Sequence, residues 1–498
     1  MPARARDATP NLALYNLRDA GGQTQQDVAD ALNRLGVPRG KRLAITANQV
    51  SRWERGVTYP SALYRQLLAE HFGVSVQTLG LTRQRITPDQ AVSTGVDSAG
   101  SVIHQGSDET VHPQVEANRD EWRAVRRKLN GHRVPLAREA ARLYGSEPRL
   151  GDTGLITAPG WLPPAPIELS EFGIAFSPAS PPPLVTGTED ATAPVRPLIS
   201  PDRRHQRYSL ALRDVEQPQL FENRLAWHLT GVDWLRTDRA LTFTEGTYFG
   251  GIDVSEALAH EMAASHITGD GSRILPASWR NLAFRRLVGD PFASDHRPVV
   301  PSSVDTLTLR VDPDGVTFVL HHRAAGKVAM AGGTLHIMPA GVFQPSSVLP
   351  AAQANDFDLW RNIVREYSEE FLGNAEHGGE GAPADYRAEP LASLVEAYQA
   401  GGVRVFCLGV ALDALTLWGE ILTVAVFDGP TYDRLFADMV TFNAEGTVVT
   451  TGRLKPTSAL PFTRHTIDEI TSGGQLAPAA AGCIRLAWEH RRTILDRG

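Results

Sequence analysis

Two short amphipathic stretches near the front of the chain constrain its fold most. Residues 24–33 read TQQDVADALN and residues 49–56 read QVSRWERG. In the first, Val28, Ala29 and Leu32 recur at helical spacing, Thr24 stands as an N-cap, and Asp27 completes an acidic variant of the capping box. In the second, Thr46 caps a helix from Ala47 to Arg55. Val50 and Trp53 share one of its faces, and Gly56 closes it. A helix over residues 12–20 precedes them, ended by Gly21-Gly22. A fourth is marked by Leu63, Leu67, Leu68 and Phe72, and a fifth starts at Gly73-Val74-Ser75. Helices this short must share one small core, which predicts a five-helix all-α domain over residues 1–85.

Such a helix pair has the layout of a helix-turn-helix, in which the second helix enters the major groove and the first touches the backbone. On that reading Gln25 donates to a phosphate, and Asn48 and Ser51 reach base edges. Gln49 and Arg52 can take either role, while Lys41 and Arg55 contact phosphates. Trp53 reads as a packing anchor, and Glu54 as a cap or salt bridge within the fold. The alternative is a helical adaptor that binds protein. Charge favours DNA: residues 1–85 carry 12 Arg/Lys against 6 Asp/Glu, a balance of +6, so a net charge of -7 leaves the rest at -7 - 6 = -13. TQQDVADALN with QVSRWERG and LAEHFGVS also resembles the Cro/phage-repressor (XRE-like) helix-turn-helix regulators over residues 12–80. The resemblance implies a bacterial transcriptional regulator, with a longer, basic segment at 36–45 than the family has. A single short helix reads few base pairs, so a homodimer on a double-stranded operator is expected.

The remaining chain is too long for one ordinary core. Residues 86–118 lack periodicity and read as a linker. Residues 119–204 read as a helical and Pro-rich connector, with a helix at 121–144 broken at Gly131 and Pro135. Residues 205–300 suggest an α+β subdomain with strand signals at 220–229 and 240–248 and a helix at 254–263. Residues 301–490 carry strand signals at 306–311, 316–321, 334–338, 403–408 and 421–427. The clearest long helix of the body is expected at 356–371. The fold class is therefore multidomain, a helical module followed by a large α/β or α+β body with a mixed sheet. Cys407 and Cys483 sit in apolar contexts and read as buried thiols of a reducing compartment. No segment has the length and apolarity of a membrane span or the run of a signal peptide, so the expectation is cytoplasmic with no membrane partner.

The helix at 356–371 carries the body's chemistry. Phe357, Trp360, Val364, Tyr367 and Phe371 form an apolar stripe, and beside it stand Arg365, Glu366, Glu369 and Glu370. Such carboxylates repel unless a cation compensates; they can hold Mg²⁺ or Mn²⁺, or form a solvated rim in which Arg365 pairs with one of them. Arg365 to Glu370, REYSEE, resembles the REUxEE core of the Nudix hydrolase box, Gx5Ex7REUxEExGU. The resemblance implies a Nudix-like sheet and metal-binding roles for Glu366, Glu369 and Glu370, with Glu420 as an additional acid. The preceding LHIMPAG resembles the strand and loop before the box. Departures are Ala351 at the opening Gly, Phe357 at the upstream Glu, flanked by Asp356 and Asp358, and the closing Gly one place late at Gly373. These favour a degenerate site that binds a nucleotide-like effector; the alternative is a metal-dependent hydrolase of nucleoside diphosphate derivatives. The histidines His321, His322 and His336, and the helical set Asp253, Glu256 and His260, read as core or surface groups without a ligand spacing.

Overall fold

The computed structural model describes residues 112–178, 183–218, 221–234, 240–293, 301–323, 334–374, 383–437, 439, 446–449 and 459–496. Nearer the N-terminus it describes Asn11, Leu14, Leu17, Arg18, 23–36, 45–54, Pro60, 62–72, Val74, Leu79 and Leu81. The chain divides into two compact units, Met1–Ser107 and Asp108–Gly498.

In the first unit three helices are complete: α1 (Gln25–Gly36), α2 (Ala47–Glu54) and α3 (Ala62–Phe72). Leu14, Leu17 and Arg18 are also helical. The expected inward face holds, because Val28, Ala29, Leu32, Val50 and Trp53 share one core with Leu14, Leu67 and Leu68. The fifth helix expected from Gly73 lies largely outside the described residues.

The second unit opens with α4 (Pro113–Arg142), a 30-residue helix that begins inside the stretch read as linker. The two expected breaks condense into one kink at His132, where φ is -132° and ψ 15°. Pro135 has no N–H for the carbonyl of Gly131 and crowds it, and the backbone yields just N-terminal to it. It is the longest described helix of the unit. Residues read as a connector are core-forming: Trp122, Leu129, Leu136 and Val195 pack with Tyr208, Ile252, Leu258 and Trp418. The Trp122 indole N–H donates to the Val195 carbonyl at 2.9 Å.

The main sheet has eight strands. They are β1 (Leu155–Ile156), β2 (Ile167–Glu168), β3 (Ser302–Asp312), β4 (Gly315–Phe318), β5 (Ala340–Val342), β6 (Val403–Asp413), β7 (Gly419–Asp428) and β8 (Leu460–Pro461). The order is β1-β6-β7-β3-β4-β8, with β5 beside β3 and β2 beside β6. β7 and β3 run parallel and the other pairs antiparallel, so the sheet is mixed. Strands β6 and β7 are almost wholly buried, because both faces of the sheet are covered. One face carries Val304, Ile421, Ala425 and Phe427 against Val364, Tyr367 and Phe371 of the acidic helix. The other carries Leu307, Leu309, Leu422 and Val424 against Cys483 and Ile484 of the helix Pro478–Glu489. Among the described residues there are also two three-stranded sheets; the strands expected at 220–229 and 240–248 form part of one of them.

Candidate functional site

The helix pair of the first unit is fixed at three points. Thr24 and Asp27 form the expected capping box: the Asp27 N–H donates to Thr24 Oγ1 at 3.1 Å, and Thr24 N–H donates to Asp27 Oδ2 at 2.8 Å. The Thr24 hydroxyl also donates to Asp27 Oδ2 at 2.7 Å, and this bond, with the one from the Thr24 N–H, holds the Asp27 carboxyl below its ordinary range. Asn33 then clamps the far side of the basic connector, its amide donating to the Ile45 carbonyl at 2.9 Å and its Oδ1 accepting the Ile45 N–H at 2.8 Å. The extra length between the helices is thus tied off at both ends, and Thr46 caps α2 by accepting the Gln49 N–H at 3.3 Å.

The third point is Glu54, 4% exposed. Its carboxylate accepts from Arg18 Nε at 2.5 Å and Arg18 Nη2 at 3.2 Å, and from the Gln25 amide at 2.7 Å. Gln25, read as a phosphate donor, therefore commits an amide hydrogen to the lock between α1 and α2. Trp53 is buried against Tyr64, ring centroids 5.5 Å apart, as a packing anchor must be. Gln49 is half-buried. Asn48, Ser51 and Arg52 lie on α2, described here by its backbone, and Lys41 and Arg55 lie outside the described residues.

In the second unit the acidic helix is shorter than expected. Asp358 caps α5 (Leu359–Glu366), accepting the Arg361 N–H at 2.9 Å. The chain then widens into a π turn over Tyr367–Phe371, closed by the Leu372 N–H on the Tyr367 carbonyl at 3.3 Å. A π turn holds one residue more than an α turn. That extra residue accounts for Gly373, which adopts the left-handed φ of 68° one place later than the box requires.

The upstream acid is also displaced by one. Phe357 packs among Trp227, Phe243 and Phe343, and the neighbouring Asp356 meets Arg365 at 3.6 Å. Asp356 is fully buried and accepts from the Ser346 N–H at 2.7 Å, the Ser346 hydroxyl at 2.5 Å and the Tyr386 hydroxyl at 2.8 Å. Arg365, 2% exposed, donates to the Gln344 carbonyl, Asn362 Oδ1 and the Tyr386 hydroxyl. Arg365 thus pairs with a carboxylate, but with Asp356 rather than a glutamate of its own helix.

The four glutamates are not brought together. Glu366 is half-buried and lies against Gly341, where an added Cβ would stand 2.0 Å from its carboxyl. Glu369 is half-buried and Glu370 only 4% exposed. Glu420 pairs with Ser303, whereas Gly341 pairs with the adjacent Val304. Side chains alternate along a strand, so Glu420 belongs to the sheet face opposite the acidic helix. Its charge bears instead on Cys483. Among the described residues no three His, Cys, Asp or Glu side chains are arranged to hold a metal ion, the trio Glu366, Glu369 and Glu370 included. As placed, these residues do not fit the Mg²⁺ or Mn²⁺ that the box implies.

The other titratable sets are structural. Glu256 takes both Arg126 and Arg133, Asp253 takes Arg207 and the Ser209 N–H, and Tyr208 bonds His260 at 2.9 Å. His321 and His336 are cross-strand neighbours, and His336 stands 3.8 Å from Asp305. Cys407 and Cys483 are free, buried thiols; burial pushes Cys407 up to about 12. No described helix is long and apolar enough to cross a membrane.

A site that sequence reasoning missed lies beside the C-terminal end of α4. It is a pocket of about 780 Å³ walled by Tyr144, Trp279 and Phe292, with Glu147 and Asp290 among its lining residues. Its parts come from 143–162 and 279–292, which carry no motif; only the local density of aromatic and proline residues hinted at it.

A family model described as the SP15 N-terminal domain matches residues 14–80, the span of the helical module. No curated protein matches the chain. A solved structure, a Nudix hydrolase from Alicyclobacillus acidocaldarius, is similar at 15% identity over 37% of this chain and 90% of its own, with a TM-score of 0.20. A likeness at that score assigns neither fold nor activity.

Proposed function

We propose that the protein is a sequence-specific DNA-binding transcriptional regulator that acts as a homodimer and whose larger unit takes up a small ligand. The observation that supports this most is the way α2 is held. Val50 and Trp53 are in the core and Glu54 is in the lock with Arg18 and Gln25. At 100° per residue, Asn48 and Arg52 fall about 160° from Val50 and Ser51 about 100° from it, away from the packed line. A helix locked at its end, whose sequence sets those polar residues off the packed line, is what base reading requires. The +6 balance of residues 1–85 adds the phosphate attraction such a reader needs.

The test is selection of bound duplexes from a random pool, followed by titration of the full chain on the selected sequence. Asn48→Ala with Arg52→Ala should weaken that complex by roughly 30- to 20,000-fold, at about 1–3 kcal/mol for each of the two lost base contacts. If no sequence is enriched, or the folded double variant binds as before, α2 is not a reading helix.

A second reading, a metal-dependent hydrolase of nucleoside diphosphate derivatives, is favoured by the Arg365–Asp356 pair and the π turn, which account for two departures from the box. The separation of Glu420 and the burial of Glu370 weigh against it. It requires Mg²⁺-dependent turnover that Glu369→Gln and Glu370→Gln abolish.

A further inference from the structure

We infer that the pocket beside the end of α4 binds a planar aromatic molecule carrying a cationic nitrogen. This names the ligand class for the sensing half of the reading above, and rests on that reading only for what binding does to DNA affinity. A volume of about 780 Å³ is that of a small-molecule site, within the usual range of roughly 300–1,000 Å³.

Its aromatic walls are fixed before any ligand arrives. The Tyr144 hydroxyl accepts from Arg285 at 3.0 Å, and Arg285 is itself fully buried on the carbonyls of Ala414 and Leu415. The Trp279 indole donates to the Leu143 carbonyl at 3.2 Å and meets the Tyr144 ring edge-on at 5.6 Å. Phe292 stands edge-on to Trp161 at 5.2 Å, and its N–H is held by Asp290 Oδ1 at 2.9 Å. The opposite rim is tied by the Thr157 N–H to the Pro148 carbonyl at 2.7 Å and by its hydroxyl to Val410 at 3.0 Å. Walls locked in this way lose little entropy when a ring slides between them.

The charge of the pocket selects the ligand. Glu147 and Asp290 are exposed, and neither forms an ion pair with a described residue. Among the described residues no lysine or arginine lines the pocket. Two carboxylates beside aromatic faces attract a cation through both Coulomb and ring-quadrupole terms and repel phosphate. The pocket chemistry therefore turns the expected ligand from a nucleotide-like anion to an aromatic amine.

Calorimetric titration of the full chain with tryptamine, N-acetyltryptamine and indole-3-acetate tests this without DNA. Tryptamine should bind tightest, roughly tenfold better than the neutral amide, with the anion weakest. Glu147→Gln with Asp290→Asn, both at exposed positions, should remove the preference for tryptamine over the amide. Trp279→Ala should weaken all three. Absence of binding by the folded chain, equal binding of cation and amide, or indifference to Trp279→Ala overturns the assignment. If tryptamine binds as expected but leaves affinity for the selected duplex unchanged, the pocket stands and the sensing link to DNA falls.

Discussion

The two helices that carry the functional readings, α2 and α5, are each fastened by one buried ion pair, but at different places. In α2 the helix supplies the carboxylate, Glu54, from its last residue, and Arg18 comes from outside. In α5 the helix supplies the arginine, Arg365, next to last, and Asp356 comes from outside. The lock of α2 lies at its last residue, so Asn48, Gln49, Ser51 and Arg52 all precede it in the helix. The lock of α5 lies among its polar residues. Glu366 follows directly and rests on Gly341, and Glu370 is drawn into the buried π turn. A lock at the end of a helix stiffens it while leaving its opening turn to a partner. A lock amid the acidic set commits those residues to the fold.

Removing one partner breaks each lock, and the deeper one should cost more. Asp356→Ala strands Arg365, 2% exposed, without its carboxylate. The expected loss is about 3–5 kcal/mol in chemical denaturation of the second unit. Asp356→Leu with Arg365→Met should recover most of it, because the stranded charge is gone too. A loss below about 1 kcal/mol for Asp356→Ala would mean that neither the ion pair nor the Ser346 and Tyr386 hydrogen bonds to Asp356 hold the helix. Glu54→Ala should be smaller, about 2–3 kcal/mol, since Arg18 is 12% exposed and can turn to water. Its decisive readout is local: amide exchange should accelerate in α2 and leave the second unit unchanged. Equal protection in both chains would remove Glu54 from the lock.

The sequence revealed the lock of α2 in part and that of α5 hardly at all, and the reason is distance along the chain. Thr24 with Asp27, Thr46 with Gln49, and Val50 with Trp53 are local pairs whose spacing alone places them. Glu54 was legible as an internal group, but its partners Arg18 and Gln25 are 36 and 29 residues away. The pairing of Asp356 with Arg365 depends on a short helix, a break at Phe357 and a cap at Asp358, none of which a periodicity count resolves. The apolar stripe from Trp360 to Phe371 read correctly because it faces a sheet, yet the π turn within it was invisible. Glu420 was misplaced for a related reason: its position along the strand was readable, but the face it occupies depends on register with Ser303, which only pairing sets. The connector at 119–204 concealed its role because proline-rich composition mimics a spacer while Trp122, Leu129 and Val195 build a core.

The two units differ in a further respect, one that acid can read, and the effect should be the smallest of the three. His228 is 7% exposed, and burial pushes its imidazole down to about 4, against an ordinary value of about 6.5 in the unfolded chain. Between those values the unfolded chain binds a proton that the folded unit excludes. The stability contributed by neutral His228 is therefore complete above about pH 6.5 and is lost as pH falls toward 4. Between pH 7 and 5 the loss is on the order of 1–2 kcal/mol. In the first unit His71 is also pushed down, by burial and then by the charge of Arg34, but it is half-exposed, so its acid response should be weaker. The whole slope is not diagnostic, because burial pushes the carboxyls of Asp253, Glu261 and Asp413 up, and those groups stabilise the fold as pH falls. The comparison to make is wild type against His228→Gln, by denaturation at pH 7 and at pH 5. The wild-type advantage should shrink by that amount as the solution is acidified. A constant advantage would mean that His228 takes up its proton without opening the fold, and that the second unit is no more closed to water there than the first is at His71.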